Sequence, residues 1–364
     1  MEQDKKIRVG ITHGDINGIG YEVLLKALSD TRITELCTPV IYGSAKIANY
    51  YRKGMELPEF KLFQIDSPDD ASDDQINIIN VVGEDCKIEP GQPTETAGKA
   101  ALAALERAVS DLRDGLIDVL VTAPINKHTI HSEQFNFPGH TEYLEERLGE
   151  GRHAMMIMCN ENLRVALVTI HEPLANVVEK ITAKAITEKI VAFNRSLIED
   201  FGIHGPRIAV LSLNPHAGDA GVIGNEEAEI IAPAIAEASK RRVLAFGPYP
   251  ADGFFGSGAY TKFDGILAMY HDQGLTPFKL LAGENGVNYT AGLPFVRTSP
   301  DHGTAYDIVG QGRADEQSMR EAIYAAIDIY RNRRREAEAT ANPLRRQFYD
   351  KGNDKLPAEK PERQ

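Results

Sequence analysis

The chain has 364 residues, 42% hydrophobic and 26% charged, which is enough apolar material for a core and the balance of a globular rather than a disordered protein. A formal net charge of -13 excludes broad binding of nucleic acid or anionic membrane, because the field repels phosphate backbones and headgroups. Cys37, Cys86 and Cys159 show no CxxC spacing, no apolar leader follows Met1, and no run reaches transmembrane length, so a protein of the reducing cytoplasm is expected, without disulfides or a zinc ribbon.

In chain order, residues 6–12 predict a first strand, and His13 to Gly20 a glycine-rich turn into a helix over 21–28. Glycines 14, 18 and 20 match neither GxGxxG nor a P-loop. Residues 39–44 predict a second strand, 45–52 its helix, and 76–82 a further β run after an acidic loop. A threonine-rich start leads into a periodic helix over 100–112. The strand at 118–122 ends on Ala123-Pro124-Ile125-Asn126-Lys127, which makes Lys127 a site residue of second rank. Pro138-Gly139-His140-Thr141-Glu142 then opens a helix over 143–148. His140 and Thr141 thus stand at a helix N-terminus, where backbone N–H groups and the dipole favour an anion.

Three later strands share one design. Residues 163–170 form an apolar run ending at His171; 207–213 run into Asn214-Pro215-His216; 265–270 run into His271-Asp272-Gln273-Gly274. In open α/β sheets ligands bind beyond the carboxyl ends of parallel strands, so His171, His216 and His271 are expected to converge. Three neutral imidazoles suit a divalent ion and leave positions open for water or substrate. Helices over 183–199 and 225–240 supply the crossovers that parallel strands need. A strand at 243–246 leads to Asp252, a carboxylate able to support the site. Lys279 and Arg297 offer a local basic pocket for a small anion within the acidic whole. Residues 300–310 make a polar, glycine-punctuated loop too long for a simple turn. A helix over 316–333 closes the fold, and a charged tail, 336–364, is expected to be disordered.

Several of these motifs occur together in one family. His13-Gly14-Asp15 through Gly18-Ile19-Gly20, Thr122-Ala123-Pro124-Ile125-Asn126-Lys127, Pro138-Gly139-His140-Thr141-Glu142, Leu213-Asn214-Pro215-His216-Ala217-Gly218, Pro250-Ala251-Asp252 and Tyr270-His271-Asp272-Gln273-Gly274 closely resemble the 4-hydroxythreonine-4-phosphate dehydrogenases of pyridoxal 5'-phosphate biosynthesis, over about residues 7–333. The resemblance implies a two-domain α/β/α fold similar to isocitrate and isopropylmalate dehydrogenases. One domain would hold residues 1–130 and 285–335, and the other 131–284. It also implies NAD or NADP as cofactor, one divalent metal (zinc, cobalt, magnesium or manganese) on His171, His216 and His271, and a homodimer with its active site at the subunit interface. Substrate contacts would fall on His140, Thr141, Lys279, Asn288 and Arg297, and cofactor contacts on His302, Gly303, Thr304 and Asp307. Lys279 and Asp252 are the candidates for proton transfer.

The chain departs from the family at Ile16-Asn17 and Tyr21, which replace Pro-Ala and a second Pro, and at Gly253, where Thr is common. The expected reaction is oxidation of 4-phosphohydroxy-L-threonine to a β-keto acid that decarboxylates to 3-amino-2-oxopropyl phosphate. Threonate or erythronate 4-phosphate is the alternative substrate, and a non-redox metal hydrolase the remote alternative.

Overall fold

Short apolar runs bounded by turn residues become twelve strands in the computed structural model, which describes residues 6–57, 61–132 and 135–342. They are β1 (Ile7–Thr12), β2 (Cys37–Gly43), β3 (Leu62–Ile65), β4 (Ile76–Asn80), β5 (Val119–Thr122), β6 (Met155–Cys159), β7 (Arg164–Leu167), β8 (Arg207–Leu211), β9 (Leu244–Tyr249), β10 (Gly265–Ala268), β11 (Val287–Ala291) and β12 (Val296–Pro300). All join one mixed sheet of order β3-β4-β2-β1-β5-β12-β11-β6-β7-β10-β8-β9. Helices connect the parallel strands, so the protein is an α/β fold.

The sheet has two parallel sets that run in opposite directions. β3, β4, β2, β1, β5 and β12 are mutually parallel, as are β7, β10, β8 and β9. Between the sets lie β11 and β6, each antiparallel to both neighbours. Central strands such as β5, β6 and β10 are buried at every residue, which is why they read as continuous apolar runs rather than alternating ones.

Most elements lie where the sequence places them. Thr94 accepts the Ala97 N–H at 3.2 Å and starts the helix Glu95–Arg113; Thr182 caps Ala183–Glu199 in the same way at 3.1 Å. Four differences matter. β6 has no counterpart in the sequence prediction. Residues 262–297 divide into β10, the helix His271–Ala282, β11 and the first residues of β12, so His271 opens a helix and Asn288 and Arg297 stand in strands. The predicted helix at 225–240 splits into a π turn, Glu227–Ile231, and Ala232–Lys240, where Pro233 lacks the N–H a continuous ladder needs. The last helix, Gln317–Ala341, continues beyond residue 333; the rest of the charged tail, from 343 on, lies outside the described residues.

The turn after β1 is bolted to the loop after β12. Ile19 N–H donates to Thr304 O at 3.0 Å, and a Cβ at Gly18 would meet that oxygen at 2.8 Å, so only glycine allows the approach. Tyr306 Oη donates to Asp15 Oδ2 at 2.7 Å, and Asp15 N–H donates to Pro124 O at 2.9 Å. Tyr21 fills the core beside this turn. Its ring stacks on His13 at 5.1 Å and on Tyr51 at 5.8 Å, and its hydroxyl accepts the Ser44 N–H at 2.8 Å.

His13 is fully buried and neither ring nitrogen has a hydrogen-bond partner of good geometry among the described residues. Burial pulls its pKa from 6.5 to about 4, against smaller opposing pulls from the Gly14 and Ala100 backbone. The unfolded chain therefore binds a proton from pH 6.5 downward that the native state refuses until about pH 4. Stability is lost as pH falls through that window, by about 3 kcal/mol from this residue alone. Urea unfolding from pH 7 to pH 4 should show His13→Phe with a pH dependence shallower by that amount. Parallel curves for wild type and variant would contradict the assignment.

Candidate functional site

The two oppositely directed halves of the sheet meet around a cavity of about 250 Å³. Thr122 and the following Ala123, Pro124, Ile125 and Lys127 reach it from the end of β5, Asn288 from β11, Arg297 and Ser299 from β12, and Met156 from β6. His140, Thr141 and Glu142, the first turn of the helix His140–Leu148, close one side. His171, four residues past β7, and His302 and Gly303, past β12, complete the wall.

Arg297 dominates the electrostatics. It is 4% exposed, yet its guanidinium meets hydroxyls rather than a carboxylate: Nε and Nη2 donate to Thr122 Oγ1 at 3.0 and 2.6 Å, and Nη1 donates to Thr290 Oγ1 at 3.0 Å. Burial pulls its pKa down to about 10, with Glu142 opposing. A buried cation without a paired anion is a costly arrangement unless a ligand completes it. Nearby polar atoms are also open: His140 Nε2, Asn288 Oδ1 and His302 Nε2 are buried without hydrogen-bond partners among the described residues. Burial, then the cations Arg297 and Lys127, keep His140 neutral. The helix behind it begins at Gly139, which has no side chain to cap the first N–H groups. Open N–H groups, a helix dipole and an unpaired guanidinium on one wall make an anion site.

His171 and His271 follow adjacent parallel strands, β7 and β10, and their rings lie 6.2 Å apart between centroids with a 38° tilt. Burial first, then Lys127 and His271, lower the His171 pKa, with Glu142 opposing, which favours the neutral form that binds metal. Asp272 Oδ1 lies 2.7 Å from His271 Nδ1, the kind of carboxylate contact that fixes a ligand imidazole and leaves Nε2 free. These two donors fit a divalent ion. His216 stands apart, in the turn Pro215–Gly221, and within one chain no cluster of three metal-binding side chains occurs among the described residues.

That turn is strained. Residues 216–220 all have positive φ, at 54°, 52°, 79°, 44° and 54°, and only Gly218 among them is a glycine. Left-handed backbone costs a residue with a Cβ roughly 1–2 kcal/mol, and such strain persists only where its surroundings enforce it. Glu227 holds the entry to this turn: its Oε1 accepts the Leu213 and Asn214 N–H groups at 2.9 and 2.7 Å and its Oε2 accepts Asn214 Nδ2 at 3.1 Å, and it lies so close to Gly218 that a Cβ there would meet Oε2 at 2.6 Å.

Several expected site residues lie off the cavity wall. Lys279 pairs with Asp301 Oδ1 at 2.8 Å and donates to its carbonyl at 3.0 Å. Asp252 is exposed at the start of the helix Ala251–Gly256, beyond the edge strand β9. Thr304 turns its carbonyl to Ile19, and Asp307 accepts from Gln311 Nε2 at 2.8 Å through its carbonyl. Conversely Lys127, ranked second by sequence, lines the cavity, and Glu142, Thr122 and Ser299 join it. Ser299 gave no signal, because a hydroxyl in an apolar strand reads as core, and Thr122 entered only as the first residue of the motif that ends at Lys127.

Residues 35–326 match the family described as pyridoxal phosphate biosynthetic protein PdxA. The chain is similar to a 4-hydroxythreonine-4-phosphate dehydrogenase of Bacteroides thetaiotaomicron, 58% identical over 352 residues that cover 97% of this chain and 96% of the relative. It is 36% identical to an Oceanobacillus iheyensis protein named for D-threonate 4-phosphate dehydrogenase activity, covering 89% of this chain and 98% of that one. The crystal structure of a Klebsiella pneumoniae 4-hydroxythreonine-4-phosphate dehydrogenase superposes with a TM-score of 0.77 at 35% identity, covering 90% of this chain and all of that one.

The strained turn yields a direct test. Ala217→Gly removes one Cβ from left-handed backbone and should stabilise the protein by about 1 kcal/mol, seen as a higher urea midpoint at unchanged slope. A destabilised variant would show that the turn is held by contacts of the Ala217 methyl rather than against its preference.

Proposed function

The chain belongs to the pyridoxal phosphate biosynthetic protein PdxA family, and on that footing we propose that it oxidises the secondary alcohol of 4-phosphohydroxy-L-threonine, with NAD or NADP as oxidant and one divalent ion, to a β-keto acid that decarboxylates to 3-amino-2-oxopropyl phosphate. It is a dehydrogenase acting on a hydroxyl group, and the hydrolase alternative gives way to that family membership. The observation that carries the substrate assignment is the unpaired, buried Arg297 on the same cavity wall as His171, an anion site beside a metal-ligand side chain.

Arg297, His140, Thr141 and Asn288 bind and orient the phosphorylated substrate. Their fixed positions matter more than their number: Thr122 and Thr290 hold the guanidinium, so little reorganises when the anion arrives. His171, His216 and His271 would hold the metal, at the subunit interface of a homodimer. When bound, a zinc, cobalt, magnesium or manganese ion supplies Lewis acidity that lowers the alcohol pKa and steadies the charge left as carbon dioxide departs. His302 and Gly303 face the dinucleotide, with Thr304 and Asp307 shaping the loop beneath it; the dinucleotide supplies the oxidising equivalent. His302 fits that role because its Nε2 is buried without a partner and space stays open around Gly303. Lys279 and Asp252 are the candidates for proton transfer, each off the cavity wall of its own chain. The two domains, 1–130 with 285–335 and 131–284, are proposed to close on the ligands, in the cytoplasm.

D-threonate or erythronate 4-phosphate is the second reading, favoured by the name of the Oceanobacillus relative. The higher identity of the Bacteroides protein supports the amino acid.

The purified protein should form NADH from 4-phosphohydroxy-L-threonine faster than from either sugar-acid phosphate, and a chelator should abolish turnover until a divalent ion is restored. His171→Ala or His271→Ala should lower kcat/KM by about 100-fold or more. Full turnover in the presence of chelator would remove the metal from the mechanism, and preference for a sugar acid would move the enzyme to the second reading.

A further inference from the structure

Lys127 has no role so far. It opens the short helix Lys127–Ile130, held by Asn126, whose Oδ1 accepts the His128 and Thr129 N–H groups at 2.9 and 3.3 Å. Its side chain is exposed, lines the cavity, and forms no ion pair or hydrogen bond among the described residues. Its charge is felt by both His140 and His171, whose pKa values it depresses.

The position of the ammonium is defined by Gly139. A Cβ there would lie 3.8 Å from Lys127 Nζ and 3.6 Å from Cε, with Glu142 Oε2 at 3.5 Å. Nζ therefore stands beside the uncapped start of the helix His140–Leu148, on the cavity that Arg297 enters from β12. The charged groups on the wall are Arg297, Lys127 and Glu142. Without Lys127 these side chains sum to zero, so apart from the metal the wall would set only Arg297, offset by Glu142, against a phosphomonoester that carries nearly two negative charges. Lys279, which the sequence offered as the second cation, is engaged with Asp301 instead.

Resting on the phosphorylated-substrate reading above, we propose that Lys127 is a phosphate-binding residue of this enzyme: its ammonium and the Arg297 guanidinium hold the substrate's terminal phosphate at the N-terminus of the His140–Leu148 helix. The second cation makes the wall net positive and selects phosphorylated over unphosphorylated alcohols. A lysine suits the position because a compact ammonium on a flexible stem can follow the phosphate as it enters, while Arg297 stays fixed.

Two measurements on the full chain decide the matter. Inorganic phosphate titrated by calorimetry should bind Lys127→Met about tenfold or more weakly than wild type, and Lys127→Arg should recover most of that loss. The ratio of kcat/KM for 4-phosphohydroxy-L-threonine to that for unphosphorylated 4-hydroxy-L-threonine should fall by a similar factor in Lys127→Met, with the KM for the dinucleotide unchanged. Unchanged phosphate binding, or an equal loss on both substrates, would overturn the assignment and leave Lys127 a role in the chemistry or the fold. The readouts also separate the proposal from its premise. A wild type that forms no NADH ends the dehydrogenase reading, while the phosphate titration still judges Lys127.

Discussion

A guanidinium buried among hydroxyls, with no carboxylate partner among the described residues, is the constraint around which the centre of this molecule is arranged. Thr122 on β5 and Thr290 on β11 fix Arg297 on β12, so three neighbouring strands, two parallel and one antiparallel, aim one cation into a cavity where the two halves of the sheet meet. Hydroxyls satisfy its N–H groups but not its charge. Desolvation is thus accepted in the empty protein and offset only when an anion arrives, which turns a destabilising feature into binding energy.

The surrounding polar atoms follow the same logic. His140, His302 and His171 are kept toward their neutral forms chiefly by burial, and open acceptors and donors face the same cavity. At the same sheet edge, beyond β8, which pairs in parallel with β10, the left-handed turn that carries His216 follows residues 213 and 214, whose N–H groups Glu227 holds. Strain and unpaired charge gather at these places, while the helices and the remaining strands are capped and close-packed in the ordinary way. That contrast is what a preorganised site requires: its parts are placed before the ligand comes, and the rest of the fold supplies the stability that holds them.

Much of this was legible in the sequence because strand ends have a local signature. An apolar run stopping on His171 or His271 is visible without knowing its neighbours, and both rings do come together. The helix start at His140 was equally plain. What sequence could not supply was relative direction. Met155–Cys159 is a short apolar run dominated by Met, with Ile157 its one β-branched residue, so it lacks the Val- and Ile-rich signature of the other buried strands, and the hairpin of β11 and β12 reads as the tail of a longer stretch. Without those three strands the reversal of the sheet is invisible, and so is the wall that Arg297, Asn288 and Lys127 share. Lys279 and Asp252 fail to reach the cavity for a related reason: a side chain's proximity in sequence to a strand end says nothing about which face, or which copy of the chain, it serves.

The most direct test of the account is the thermal stability of Arg297→Met against wild type, measured in phosphate-free buffer and again with millimolar inorganic phosphate. If the guanidinium is an uncompensated charge awaiting an anion, the variant should be as stable as wild type or more so without phosphate, and only wild type should gain stability when phosphate is added. A variant that is several degrees less stable in phosphate-free buffer, and that responds to phosphate as wild type does, would show that Arg297 is a structural residue and that the anion site lies elsewhere.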